Sequence, residues 1–300
     1  NMFWHFHQNP KPGSVYNAGG GRENSTSILE AIERQLIPNM VLAYTTIEPP
    51  IFKDHIRPGK VLLDLGSTFE NFDDAQFKNY VQQWKDSDSL HDGAVFFMSA
   101  YKDVFVNLNG FDGKSFRPCF CEDDDFLIRA KLNGCILKTC ESAIVYHFVS
   151  QTSRFSEDMK DNKQNIELAS NRNFVRKWGL PIHGFNQVRY WEENTFTYNT
   201  FTMGLKTRNK SLLYNVEPFF DKIDLGLIPD DYIENEQKNT RYDLRSKFTL
   251  TDGVDVMITE TSPFTEEDIS MLQLIRLSIP YYEPGEYKTG NMLIKINRQI

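Results

Sequence analysis

Between residues 60 and 148, short apolar runs alternate with amphipathic ones. KVLLDLG (60–66), GAVFFMSA (93–100), CILKTC (135–140) and AIVYHF (143–148) read as strands, bounded by polar or glycine breaks. DDAQFKNYVQQWKDS (73–87) is a helix with Phe77, Tyr80, Val81 and Trp84 on one face. YKDVFVNLNGFD is a short helix ended by Gly110. A further helix starts at about Glu122, buries Phe126, Leu127 and Ala130, and stops at Gly134; a long amphipathic one over about 157–178 stops at Gly179. Upstream, a strand from Ser14 to Asn17 enters a triple glycine and then a helix, with Ser27 and Glu30 at capping-box spacing.

From 195 to 300 the pattern is strand FTMGLKT, helix SLLYNVEPFFDKI, strand LGLIP, a second helix, strand DVMITE, helix EEDISMLQLIRLSI and strand MLIKIN. The predicted class is α/β: a mixed sheet flanked by helices over 36–190, a linker at 183–197, and a small α/β domain over 195–300.

Composition narrows the partners. Of 300 residues, 40% are hydrophobic and 13% aromatic, enough for a sizeable core. A net charge of −8 excludes nucleic acid as the main partner, because phosphate binding demands a basic stripe. No apolar run reaches membrane-spanning length and no signal peptide opens the chain, so a cytoplasmic protein without a transmembrane segment is expected. The first residue is Asn, so the chain is expected to begin inside a longer product. Cys119, Cys121, Cys135 and Cys140 are poorly spaced for a zinc ribbon and read as reduced thiols, with a metal site as the rival.

The densest chemistry is Glu122-Asp123-Asp124-Asp125. Carboxylates in a first helical turn are favoured by the helix dipole, and Asp125 can pair with Arg129 one turn on. That explains Asp125. Crowded carboxylates also occur where one serves as a base and others hold hydroxyls or metal, and both readings stand. Other features are two-sided. His147 is a core histidine or a metal ligand. RNFVRKWG (172–179) grips phosphate or a polar acceptor, or docks a helix through Phe174 and Trp178. Asp86-Ser87-Asp88 has the D-x-D spelling but reads as a solvated loop, and Asp64 lacks a partner two residues on. His5 and His7 read as part of an aromatic strand or a metal pair.

The stretch from GAVFFMSA to AIVYHF resembles the acceptor-side half of GT-A-fold glycosyltransferases, the inverting family-2 kind and related galactosyltransferases. The matching features, in order, are Gly110-Phe111-Asp112, Glu122 to Asp125, Arg129 to Gly134, and His147, over about 60 residues. The resemblance implies an inverting hexosyltransferase that uses a nucleotide-sugar donor and a glycan acceptor. It implies Asp123 as general base. Glu122 and Asp124, with Gly110, Phe111 and Asp112, would bind substrate, and Asp125 and Arg129 would brace the helix. His147 would complete a Mn²⁺ or Mg²⁺ site that neutralises the departing diphosphate. The family's donor half, with its D-x-D, has no counterpart here.

YNAGGGRENSTSILEAIE, within residues 1–35, resembles a late segment of nucleotide-sugar epimerases of the short-chain dehydrogenase superfamily. The cofactor-binding half and the Tyr-x-x-x-Lys pair are absent, so epimerase activity is not expected. A fusion or truncation with its seam at Leu36–Pro38 is expected. A carbohydrate- or partner-binding remnant is the rival to the enzyme, and a fragment of an epimerase fusion is the third reading.

Overall fold

The computed structural model describes residues 30, 32–49, 60–94, 97–148, 161–181, 201–249 and 251–300. The glycine triplet, His5, His7, the linker at 183–197 and nearly all of the epimerase-like segment lie outside the described residues. The class is mixed α/β, and the chain divides into two units: Asn1–Phe111 with Asp123–Lys163, and Asp112–Glu122 with Gln164–Ile300. Among the described residues, no helix is long and apolar enough to cross a membrane.

The first unit is built on β1 (Met40–Glu48), a strand the periodicity reading missed. MVLAYTTIE is buried along nearly its whole length, as expected for a strand covered on both faces. It pairs in parallel with β2 (Lys60–Leu62) and with β5 (Ile136–Tyr146), and antiparallel with β4 (Met98–Ala100). The short β3 (Leu90–Asp92) runs antiparallel to β5. The two predicted strands at 135–148 are thus one strand. Its register against β1 shifts between Tyr44, opposite Cys140, and Thr45, opposite Ile144. Thr45 Oγ1 donates to the Cys140 carbonyl at 3.0 Å across that shift. The strand expected at 93–100 is shorter, reduced to β4 among the described residues.

Helix α1 (Asp74–Trp84) starts where Asp73 accepts from the Gln76 amide at 2.9 Å. It buries Phe77 and Val81 against Ile47, Leu65, Ile144 and Tyr146. Each such side chain contributes about 1.5–3 kcal/mol on burial. α2 (Lys102–Asn107) is short, and α3 (Glu122–Leu132) buries Phe126, Leu127 and Ala130 as its pattern predicts.

The second unit includes α4 (Lys163–Trp178) from Gln164 onward, which docks Phe174, Val175 and Trp178; residues 157–160 of the predicted helix lie outside the described residues. Its sheet runs β7 (Lys222–Asp224), β6 (Met203–Lys206), β8 (Val256–Glu260), β10 (Met292–Ile296), β9 (Gly285–Thr289). β6 is parallel to β7 and β8, whereas β10 is antiparallel to β8 and β9. The strand expected at LGLIP lies instead at Lys222–Asp224; β9, the outer arm of a hairpin, was not anticipated. The short α5 (Leu213–Val216) and α6 (Asp230–Glu236) link the parallel strands. α7 (Glu266–Ser278) opens with a Thr265–Asp268 capping box.

Candidate functional site

Helix α3 sorts the four carboxylates by position. Asp125 is fully buried, and its Oδ2 accepts from Arg129 Nε at 2.9 Å and lies 2.8 Å from Nη2. The same guanidinium donates from Nη2 to the Gly110 carbonyl at 2.7 Å and from Nη1 to the Leu108 carbonyl. These carbonyls follow the last turn of α2, where the dipole favours a cation. Arg129 thereby ties the start of α3 to the turn at Gly110. That turn needs glycine: φ is +60°, and a Cβ would stand 2.9 Å from the Phe105 ring. Phe111 remains half-exposed, with its ring 5.5 Å from Phe105 and 5.4 Å from Phe126.

Glu122, Asp123 and Asp124 are each partly exposed. The Asp123 side chain makes no hydrogen bond or ion pair among the described residues. Two consecutive left-handed residues, Phe120 (φ 73°) and Cys121 (φ 69°), bring the chain into the helix.

Within the second unit, the segment Asp112–Glu122 is fastened to α4. Lys177 Nζ donates to Asp112 Oδ2 at 2.8 Å, Asn173 to the Ser115 carbonyl at 2.9 Å, and Ser170 to the Cys119 carbonyl at 2.9 Å. Asp112 also accepts from Ser115 Oγ at 2.8 Å and the Lys114 and Ser115 amides. Burial alone would raise the Asp112 carboxyl, but Lys177 and Ser115 outweigh it and hold it well below its ordinary value. A substrate hydroxyl at Asp112 would have to compete with these bonds.

His147 follows β5. Its Nδ1 lies 2.9 Å from Glu48 Oε1, and Glu48 Oε2 lies 2.7 Å from Lys60 Nζ. Burial would raise the Glu48 carboxyl, but the bonds from His147 and Lys60 prevail and lower it. The sequence reading missed both Glu48 and Lys60. The β-branched run ending in Glu48 was the available signal. Among the described residues, no group of three or more His, Cys, Asp or Glu side chains could hold a metal. Hard divalent ions prefer several oxygen donors; Glu48 and His147 offer two ligands, and the adjacent ammonium repels a cation. These residues by themselves do not fit Mn²⁺ or Mg²⁺.

Asp86 and Asp88 are exposed, and Asp88 pairs with Arg34 at 2.7 Å, as a solvated loop would. All four cysteines are unbridged. The arginines of RNFVRKWG face carboxylates. Arg172 holds Glu236 at 2.7 Å, and Arg176 holds Glu217 at 2.6 Å and Glu236 at 2.9 Å. Lys247 and the Tyr232 hydroxyl also donate to Glu217, at 2.7 and 2.9 Å. Burial pushes the Glu217 carboxyl up, but Lys247 and Arg176 hold it down to about 2.

No protein-family model, no curated protein and no solved structure matches this chain.

Proposed function

We propose that the first unit is the acceptor-side portion of an inverting GT-A-like glycosyltransferase, with Asp123 as the general base. One observation carries this reading: adjacent carboxylates on one helix are treated differently. Asp125 is buried and bound to Arg129, whereas partly exposed Asp123 has no bonded partner among the described residues. A base must meet its proton within hydrogen-bond reach, so a carboxylate left open on a braced helix suits the task. Asp123 takes the proton of an acceptor hydroxyl as that oxygen attacks the anomeric carbon. The bond from that carbon to the diphosphate breaks on the opposite side, the configuration inverts, and the nucleoside diphosphate leaves as an anion. Glu122 and Asp124 orient acceptor hydroxyls. No step is routed through a metal.

Calorimetry of the full chain with UDP- and GDP-sugars in the presence of Mn²⁺ tests donor binding, and a transfer assay follows with any donor that binds. Asp123→Asn is expected to abolish transfer while leaving the fold intact. Absence of donor binding, or unchanged turnover in the variant, refutes the catalytic reading.

A second reading, a carbohydrate-binding unit without donor chemistry, is favoured by Lys60. Its ammonium already neutralises the carboxylate beside His147. Glycan binding without donor binding would select it.

A further inference from the structure

We propose that the second unit carries its own sugar-binding pocket, built to hold a neutral, polyhydroxylated ligand the size of a monosaccharide unit. Behind the end of α4 lies a cavity of about 320 Å³, at the small end of ligand pockets. Its lining includes three cations, Arg176, Lys247 and Arg276, and two carboxylates, Asp221 and Asp243. Glu217, bonded to both Arg176 and Lys247, adds a third negative charge, and Glu236, also on Arg176, is matched by Arg172, so the wall is electrically balanced. An anion gains no net attraction from such a wall, whereas a ligand whose groups both donate and accept matches it.

The unused bonding capacity has that character. Arg276 is 8% exposed and its Nε is buried with no hydrogen-bond partner. A buried donor left unmet is costly and calls for an acceptor. Its other nitrogens are committed: Nη1 donates to the Phe201 carbonyl at 3.1 Å, and Nη2 to the Phe219 carbonyl and Asp221 Oδ2. Gly179, also in the lining, comes close to this group. A methyl on its Cα would stand 3.0 Å from Nε, and φ is +74° there, so glycine is what lets the chain pack this closely against the guanidinium. On the acceptor side, Asp221 Oδ2 already serves the Met203 amide and Arg276, and Asp243 Oδ1 the Ser246 amide. The second oxygen of each carboxylate takes no hydrogen bond among the described residues. Tyr242 supplies an aromatic wall. An unmet donor, two open carboxylate oxygens and an aromatic ring are what a ring of hydroxyls and C–H groups requires.

This assignment rests on the wall chemistry of the second unit and does not depend on Asp123. The test is saturation-transfer NMR and calorimetry on the full chain. The probes are methyl glycosides of glucose, galactose, mannose and N-acetylglucosamine, with inorganic phosphate and UDP as anionic probes. At least one glycoside is expected to bind. Asp243→Ala and Tyr242→Ala, at partly or fully exposed positions, should each weaken it about tenfold, the loss of one strong contact. Dependence of glycoside binding on Asp243 and Tyr242, both in the second unit, separates this proposal from the catalytic one, which is read by transfer. The proposal is overturned if no glycoside binds, if phosphate or UDP binds in its place, or if binding ignores both substitutions in variants whose melting matches the parent.

Discussion

Replacing Arg129 by Met removes the clamp between α3 and the Gly110 turn while keeping a long apolar stem beside Phe126. The parent guanidinium makes two contacts with Asp125 Oδ2, at 2.9 and 2.8 Å, and reaches the carbonyls of Leu108 and Gly110. Asp125 is 0% exposed, so the variant holds a buried carboxylate that has lost the Arg129 guanidinium. Removing one member of a buried pair costs about 3–5 kcal/mol. The carbonyl bonds belong to the same network, so their loss is included in that figure rather than added to it. The chain has two units, so a global melt would mix their transitions. Native-state hydrogen exchange on peptides spanning α2 to α3 reads the local opening instead. Exchange there should accelerate roughly a hundredfold or more, the equivalent of about 3 kcal/mol. Asp125→Leu combined with Arg129→Met should recover part of the loss, because the apolar pair removes the buried charge that Arg129 had balanced. Acceleration below about tenfold in the single variant would refute the reasoning.

Acid should weaken the second unit through Glu217. Its folded value of about 2 lies below its ordinary 4.5, so its contribution is present above pH 4.5 and is lost as pH falls towards 2. Glu217→Gln should flatten that acid limb in peptides of α4 and α6, and an unchanged limb would show that Glu217 is not its source. Gly110→Ala should cost at least about 1–2 kcal/mol from the left-handed backbone, before any strain against Phe105. Urea unfolding followed by exchange at α2 would check this, and a neutral result would contradict the turn geometry.

What was legible in the sequence was local. The spacing of Asp125 and Arg129, the apolar stripe of α3 and the glycine stops at 134 and 179 each relate residues within a single helix, so helix geometry alone reads them. α1, α3 and α7 were readable for that reason, as was the separation of Asp125 from its neighbours. The boundary errors share a cause. CILKTC and AIVYHF look like two strands because polar Glu141 and Ser142 separate them, where β5 bulges between Cys140, opposite Tyr44, and Ile144, opposite Thr45; LGLIP looks more apolar than the neighbouring Lys222–Asp224 that forms β7.

The sequence by itself determined the α/β class, most of the helices, and a run of carboxylates at the mouth of one of them. Tertiary structure decided what those charges face. His147 meets Glu48 across 99 positions, and Arg176 meets Glu217 across 41. Periodicity reports which face of an element is buried, and the identity of the group opposite is set by strand order and long-range packing. RNFVRKWG shows the difference. Its spacing left a phosphate grip and a docked helix both open, and only the folded second unit turns its arginines onto Glu217 and Glu236 beside a balanced pocket.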